Sequence, residues 1–521
     1  MERVYLYDTT LRDGVQMQGI DLSVSDKKYL LSQLDAFKMD YVEGGWPGAN
    51  PLDTEFFDNL EETTFSKVSA FGMTQKMPSG AFDKLLENKA PCVTIVGKSW
   101  DFHVTHALGI ELEENLTLIR DSVLRAKSFS KEVLFDAEHF FDGFKANPEY
   151  TLSCIKTAWN AGASWIVMCD TNGGTLPFEI EEIIRKVLDK MPYISVGIHC
   201  HNDTGNGVAN SLAAVRAGAR LVQGTINGIG ERCGNADLMA IIPTLVLKMG
   251  FKTSQTKEDL KRLTKLSNTL YERLNLLPNK YQAYVGKSAF THKGGLHVSA
   301  IAKNPKSYEH ISPETIGNER KILVSQQAGR SNILSFLKRQ NIEIDPKDER
   351  INQLLRLVKE KEYMGYSYDG TEASFEILVK SVLSVIPTFF ELHSFRVIDE
   401  RRYNIRGQLV TTSDATVRMK VGEKEYIEAA DGNGPVDALA NALFKVLVPV
   451  YGCLADFKLK DYKVRIFDGD KGTGSTTRVL VDAVDSQGHR WSTVGFSGDV
   501  IDASFQALQD SILYKLMISQ I

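Results

Sequence analysis

The feature that most constrains this chain is a rhythm in its first half. From residue 1 to about 250, short apolar or β-branched runs alternate with helical patterns. Strands are expected to begin near Val4, Tyr41, Lys67, Cys92, Glu132, Trp165, Ser195 and Leu221, and the seven steps between them average 31 residues. That is about the length of one strand–helix unit. The intervening segments carry helix signals. Ser25 is placed as the N-cap of DKKYLLSQLDAF, Pro148 opens a segment closed by Gly162, and Gly207–Ala217 stops at Gly218. Eight such units in about 250 residues fit an α/β fold of the (β/α)8 barrel type. A doubly wound open sheet fits less well, because no Gly-rich dinucleotide turn follows the first strand.

The chain has 521 residues, too many for one compact core, which stops growing near ~250–300 residues. After Gly250 the rhythm breaks. Residues 254–277 read as a charged helical stretch, SAFTHKGGLHVSAI (288–301) is rich in Gly and His, and more helices follow to about 365. Near 400 the pattern turns to alternating strands: RGQLVTT, ATVRMKV, YKVRIFD, TTRVLVDAV and HRWSTVGF. Asp437-Ala438 with Ala442-Leu443 recurs as Asp502-Ala503 with Ala507-Leu508, each copy opening a helix after a Gly-containing loop. The expected division is a barrel over 1–275, helical linker subdomains over 276–398, and an α+β tail of two similar halves over 399–521. A tail of this kind suits plain dimerisation, and its Gly-rich loops at helix starts also suit a carboxylate ligand.

Composition narrows the function class. With 61 Lys+Arg against 66 Asp+Glu the net charge is −5 and the pI about 6.1, without the basic surplus of a nucleic-acid binder. No apolar run approaches the ~18 residues of a membrane span. The first residues lack the apolar core of a signal peptide, and the six cysteines form no CxxC pair. A cytoplasmic enzyme with reduced thiols is expected.

Barrel active sites lie at the C-terminal ends of the strands, and unusual polar residues fall there repeatedly. The first strand ends in Asp8-Thr-Thr-Leu-Arg12-Asp13-Gly14, the second in Glu43-Gly-Gly and the fifth in Asp136-Ala-Glu138-His139. The sixth ends in Asp170-Thr171-Asn172, the seventh in His199-Cys-His201-Asn202-Asp203, and the eighth runs into Asn227 to Asn235. His199 and His201 are two apart on a strand, so both point to one face while Cys200 points away. Such a pair suits either a divalent cation or a hydrogen-bonded core. Asp13 and Asn235 would complete a mixed N/O set for Mg²⁺, Mn²⁺ or Zn²⁺, and a non-haem iron site has the same residue types. Arg12 offers a fixed cation where an oxyanion develops, or an ion pair with Glu43. The composite is an electrophilic centre that polarises an α-keto acid while a carbanion equivalent attacks.

The segments DTTLRDG (8–14), HCHND (199–203) and GERCGNADL (230–238) resemble the motifs of the barrels that transfer acyl groups to α-keto acids. These comprise the 2-isopropylmalate, homocitrate and citramalate synthases and the related acyl-CoA lyases. EGGWPGANPLDTEFF (43–57), THKGGLHVSAI (291–301) and YDGTEASFEIL (368–378) are most similar to the citramalate synthase branch, and the resemblance runs through the tail. It implies condensation of acetyl-CoA with pyruvate, followed by thioester hydrolysis, at the start of a threonine-independent route to isoleucine. It implies Asp13, His199, His201 and Asn235 as metal ligands and Arg12 at the ketone oxygen. Thr171 is implied at the keto-acid carboxylate, Glu43 near the substrate and Glu138 near the acetyl group. His297 and Tyr308 are implied in proton transfer, from the partner subunit of a homodimer, and isoleucine is implied as the ligand of the tail. His292 is expected to cap a turn or meet the CoA side. The bulk of Trp46 and Pro47 is expected to narrow the keto-acid pocket to pyruvate. The nearest rivals are the 2-isopropylmalate and homocitrate synthases; an acyl-CoA lyase fits the tail less well. A silent sensing barrel fits the intact polar set less well.

Overall fold

The computed structural model describes residues 2–129, 131–322, 330–340, 342–368, 370–383, 386–467, 472 and 474–519. Asp369 of YDGTEASFEIL and Asp468 of YKVRIFD lie outside the described residues. Eight parallel strands close into a barrel in sequence order. They are β1 (Tyr5–Asp8), β2 (Tyr41–Gly45), β3 (Lys67–Met73), β4 (Cys92–Lys98), β5 (Glu132–Glu138), β6 (Trp165–Asp170), β7 (Val196–Cys200) and β8 (Leu221–Gly224). The barrel closes through β1 on β8, with Tyr7 opposite Gln223. All eight expected strands are present.

The period-2 alternation of the strands sorts the core into two populations. Tyr7, Tyr41, Cys92, Leu134, Val167, Cys169 and Leu221 pack together inside the barrel. Their neighbours in sequence, including Leu6, Val42, Val93, Val133, Phe135, Ile166, Met168 and Val222, join the larger cluster beneath the surrounding helices. Towards the C-terminal ends the inward positions turn polar. Glu43, Thr94, Asp136, His199 and Gln223 are all buried there.

The helices start and stop where local chemistry allows. Pro148 opens Pro148–Asn160 behind the Asn147 cap, and Gly207–Ala217 ends on Gly218 at φ +129. The first helix corrects an expectation. Its cap is Ser23, not Ser25, because Ser23 and Asp26 close a reciprocal capping box around Val24–Ala36. The charged stretch after the barrel forms Lys257–Leu260 and Leu263–Arg273. Leu260, Leu263, Leu266, Leu270, Val285, Phe290 and Ile316 bury into the barrel's own cluster. The first compact unit comprises Met1–Phe290 with Ile311–Arg320.

The second unit comprises Thr291–His310 with Lys321–Ile521. Its helices Arg330–Arg339, Glu349–Met364 and Glu372–Val382 share a cluster around Ile333, Leu354 and Phe375. Two three-stranded antiparallel sheets follow, each leading into a helix. The first is Glu391–Tyr403, Leu409–Val421 and Lys424–Gly432 before Pro435–Val450; the second is Lys458–Ile466, Thr477–Val484 and Arg490–Ser497 before Val500–Ile518. RGQLVTT and ATVRMKV belong to one strand rather than two, since Leu409–Val421 pairs unbroken from Leu409 to Val421 with its neighbours. Glu391–Tyr403 and Lys424–Gly432 escape a hydropathy reading, because they carry Glu, Arg and Lys at many positions. The repeated Ala438, Ala442, Leu443 and Ala503, Ala507, Leu508 are the buried helix positions against the sheets.

Candidate active site at the barrel mouth

The site is built from the ends of β1, β2, β7 and β8. After β1, the Asp8 carboxylate accepts from the Thr10 amide at 3.0 Å and the Thr10 hydroxyl at 2.8 Å. Burial pushes the Asp8 carboxyl up to about 7. The amides of Arg12, Asp13 and Gly14 all donate to the Thr9 carbonyl. This tight turn sends Arg12 towards β2 and Asp13 towards β7. Arg12 Nε donates to Glu43 Oε2 at 2.5 Å, and a terminal nitrogen lies 3.8 Å from Asp13 Oδ2. Its guanidinium lies 3.9 Å from the Phe71 ring centre. Burial alone would lower the Arg12 pKa, but Glu43 and Asp13 outweigh it and keep the cation fixed.

His199 is the inward residue near the end of β7, opposite Cys169 and Gln223. Its Nδ1 is 2.9 Å from Gln223 Oε1, while Gln223 Nε2 donates to Asp136 Oδ1 at 3.0 Å. Asp136 therefore orients the amide so that its oxygen accepts from Nδ1–H, and His199 Nε2 presents its lone pair. That nitrogen is 3.4 Å from Asp13 Oδ2 and 3.4 Å from His201 Nε2. Cys200 packs outward in the helix-side cluster.

The loop after β8 returns to the end of β7. His201 pairs with Asn235 in a β-bridge, and Asn202 N–H donates to the Gly234 carbonyl at 2.9 Å. Gly230 makes this approach possible, because at φ +154 a Cβ there would collide with Asn235 Nδ2. Asn235 Nδ2 donates to the Ile229 carbonyl at 3.2 Å, and its Oδ1 is buried without a hydrogen-bond partner among the described residues.

The electrostatics suit a cation. Burial, then neighbouring His201, lowers His199 to about 4, and burial also lowers His201. Burial would raise Asp13, but Arg12, His199 and His201 hold it below the ordinary carboxylate value. Two neutral imidazoles and one carboxylate thus offer ligand atoms within 4.8 Å of one another, all buried. These three side chains form a possible metal site, and the donor set fits a divalent ion.

Other expected residues are placed as follows. Glu43 is fully buried, with one oxygen taken by Arg12 and the other by the Tyr7 hydroxyl at 2.9 Å. Glu138 closes β5 and pairs with Lys98 at 2.5 Å. The Thr171 hydroxyl accepts from the His139 amide at 2.8 Å, leaving its own proton to donate. Trp46 packs edge-on against Phe71, 5.6 Å between ring centres, and so backs the ring beneath Arg12. His297 and Tyr308 belong to the second unit, where their rings stack at 4.1 Å. His292, also there, lies 3.3 Å from Glu309 and sits in a two-residue strand beside Lys321–Ile322.

Sequence reasoning missed Gln223, Phe71 and Arg232. Gln223 had a signal, as the lone amide in the apolar run LVQGTI. Arg232 lies within GERCGN; it donates to Asp203 at 2.8 Å and to the Thr171 carbonyl at 2.8 Å, tying the loops after β6, β7 and β8 together.

Comparison with known proteins matches three segments of the chain. Residues 3–270 match the HMGL-like family, residues 284–364 the homocitrate synthase post-HMGL domain-like family, and residues 369–516 the LeuA allosteric (dimerisation) domain. The chain is 49% identical to the (R)-citramalate synthase of Aquifex aeolicus, covering 99% of this chain and 98% of that one. It is 50% identical to the (R)-citramalate synthase of Geobacter sulfurreducens, over 100% and 99%. It is 30% identical to the 2-isopropylmalate synthase of Dictyoglomus turgidum, over 99% of each.

Proposed function

The chain belongs to the HMGL-like family and aligns end to end with its (R)-citramalate synthases, and on that premise we propose that it condenses acetyl-CoA with pyruvate to give (R)-citramalate and CoA. The carrying observation is the identity of 49% and 50% over practically the whole of both chains, against 30% for a 2-isopropylmalate synthase.

Asp13, His199, His201 and Asn235 are assigned as the ligands of a divalent cation, Mg²⁺, Mn²⁺ or Zn²⁺. When bound, the cation supplies Lewis acidity at the 2-oxo group of pyruvate. Arg12, locked by Glu43, stabilises the negative charge that forms on the ketone oxygen. Glu43 serves substrate binding through Arg12. The Thr171 hydroxyl donates to the pyruvate carboxylate. Glu138 takes a proton from the acetyl methyl group, whose carbon then bonds to C2 of pyruvate. His297 and Tyr308 return a proton to the new alkoxide, and water cleaves the thioester to release CoA.

We assign His297 and Tyr308 to the barrel of a partner subunit, so activity belongs to a homodimer. The dimerisation-domain match supports this, as do Ile398, Ile427, Leu459, Val464 and Ile466, apolar and exposed on the tail sheets. The working division is a catalytic segment 1–275, linker subdomains 276–398 and a regulatory segment 399–521, with isoleucine as the inhibitory ligand of the tail and isoleucine biosynthesis as the setting. Among the described residues no helix is long and apolar enough to cross a membrane.

The test is free-thiol detection of CoA release with a panel of 2-oxo acids, with and without isoleucine. Release with pyruvate, suppressed by isoleucine, is expected. Release with 2-oxoisovalerate and none with pyruvate would assign the chain to 2-isopropylmalate synthesis instead.

A further inference from the structure

A second group of imidazoles lies on the same barrel and shares Glu138 with the residues assigned above. His103 starts the helical turn His103–Leu108 after β4, and His139 directly follows β5. One nitrogen from each histidine and one Glu138 oxygen lie within 4.8 Å of one another. The two imidazole rings are 4.2 Å apart between centres.

Each member is held for the purpose. His139 Nδ1 is 2.8 Å from Asp142 Oδ2, and Asn172 Nδ2 donates to both Asp142 oxygens at 3.1 and 3.0 Å. The carboxylate thus accepts from Nδ1–H and leaves Nε2 with its lone pair free to bind, the arrangement that orients metal-bound histidines. His139 holds this position at φ +53, a left-handed conformation that a non-glycine residue adopts only when its surroundings impose it. His103 stacks on Trp100, 5.2 Å between centres and 17° from parallel. Its Nδ1 is buried without a hydrogen-bond partner among the described residues. An imidazole nitrogen sealed from water and left unpaired is costly unless something binds it. Glu138 engages Lys98 through Oε2, so its other oxygen remains for a ligand.

We propose that His103, His139 and Glu138 form a second metal site, selective for Zn²⁺ over Mg²⁺. Two imidazoles and one carboxylate with room for water favour Zn²⁺, whereas Mg²⁺ prefers an oxygen shell. Zinc there would engage the carboxylate assigned above to the acetyl group; that consequence, unlike the binding, rests on the proposed reaction.

The test is equilibrium dialysis of the full-length protein against Zn²⁺ with elemental analysis, on variants whose fold is checked by circular dichroism. Two Zn²⁺ per chain are expected in the wild type. One is expected after paired His103→Gln and His139→Gln substitution, and one after paired His199→Gln and His201→Gln substitution. Asp142→Asn, which spares every ligand, is expected to weaken one site about 10–100-fold and leave the other unchanged. A single Zn²⁺ in the wild type, lost with His199 and His201, would overturn the proposal. So would two Zn²⁺ surviving in the His103/His139 variant. Loss of one Zn²⁺ from that variant, with none lost from the His199/His201 variant, would keep this site and discard the buried one.

Discussion

The two histidine clusters of the barrel use the same ligand types and are held by different means. Asp13, His199 and His201 are buried, whereas His103, Glu138 and His139 are half-buried. The buried cluster inherits its geometry from sheet register, since His199 stands opposite Gln223 and Tyr7 opposite Gln223 on the other side. The half-buried cluster takes Glu138 from the end of β5 but its two imidazoles from a helical turn and a left-handed residue, ordered by Trp100 and Asp142. A register is shared by the whole barrel, so disturbing the first cluster means disturbing the sheet. The second can change one turn at a time. Precision at the first and adaptability at the second follow from that difference.

The difference can be broken at graded strengths. Arg12→Leu removes the fixed cation beside Asp13, and kcat for CoA release with pyruvate is expected to fall about 10²–10³-fold with the fold retained. A similar fall with Arg12→Lys would show that the Glu43-oriented fork matters, not charge alone. Gln223→Leu should be milder. It frees the His199 Nδ1 proton from its acceptor while leaving every ligand, and is expected to weaken divalent-ion binding about 10–100-fold, read by calorimetric titration. The third effect is on stability and concerns Asp8. Burial raises it from 3.8 to about 7, so between these values the folded state holds a proton that the unfolded state has lost. Stability from this group is present at low pH and is lost as pH rises through that window. Asp8→Asn should therefore flatten the fall in urea midpoint between pH 4 and pH 7; an unchanged slope would remove Asp8 from the explanation.

The sequence made the first cluster readable and hid the second, for physical reasons. His199-Cys-His201 lies on a strand, where a spacing of two forces a common side, and DTTLRDG and GERCGN mark backbone turns that few residues allow. The barrel itself was legible because its inner and outer cores repeat every second residue. His103 and His139 stand 36 positions apart on a turn and a strand end, and no short-range period joins them. Only the pairing of β4 with β5, Lys98 beside Glu138, brings them together. Phe71 was similarly silent, because its role comes from Arg12 after another strand, and Gln223 showed only as a lone amide whose partners, His199 and Asp136, lie on other strands. In the tail, the charged strands Glu391–Tyr403 and Lys424–Gly432 were invisible to hydropathy and are defined by pairing with Leu409–Val421.

The central claim is that the buried cluster is where the condensation occurs, and chelation addresses it most directly. Protein stripped of metal, with its emptiness verified by elemental analysis, should release no CoA from acetyl-CoA with pyruvate. Adding Mn²⁺ should restore release in the wild type but not in His199→Ala. Full CoA release by verified metal-free protein, or by His199→Ala, would contradict the claim.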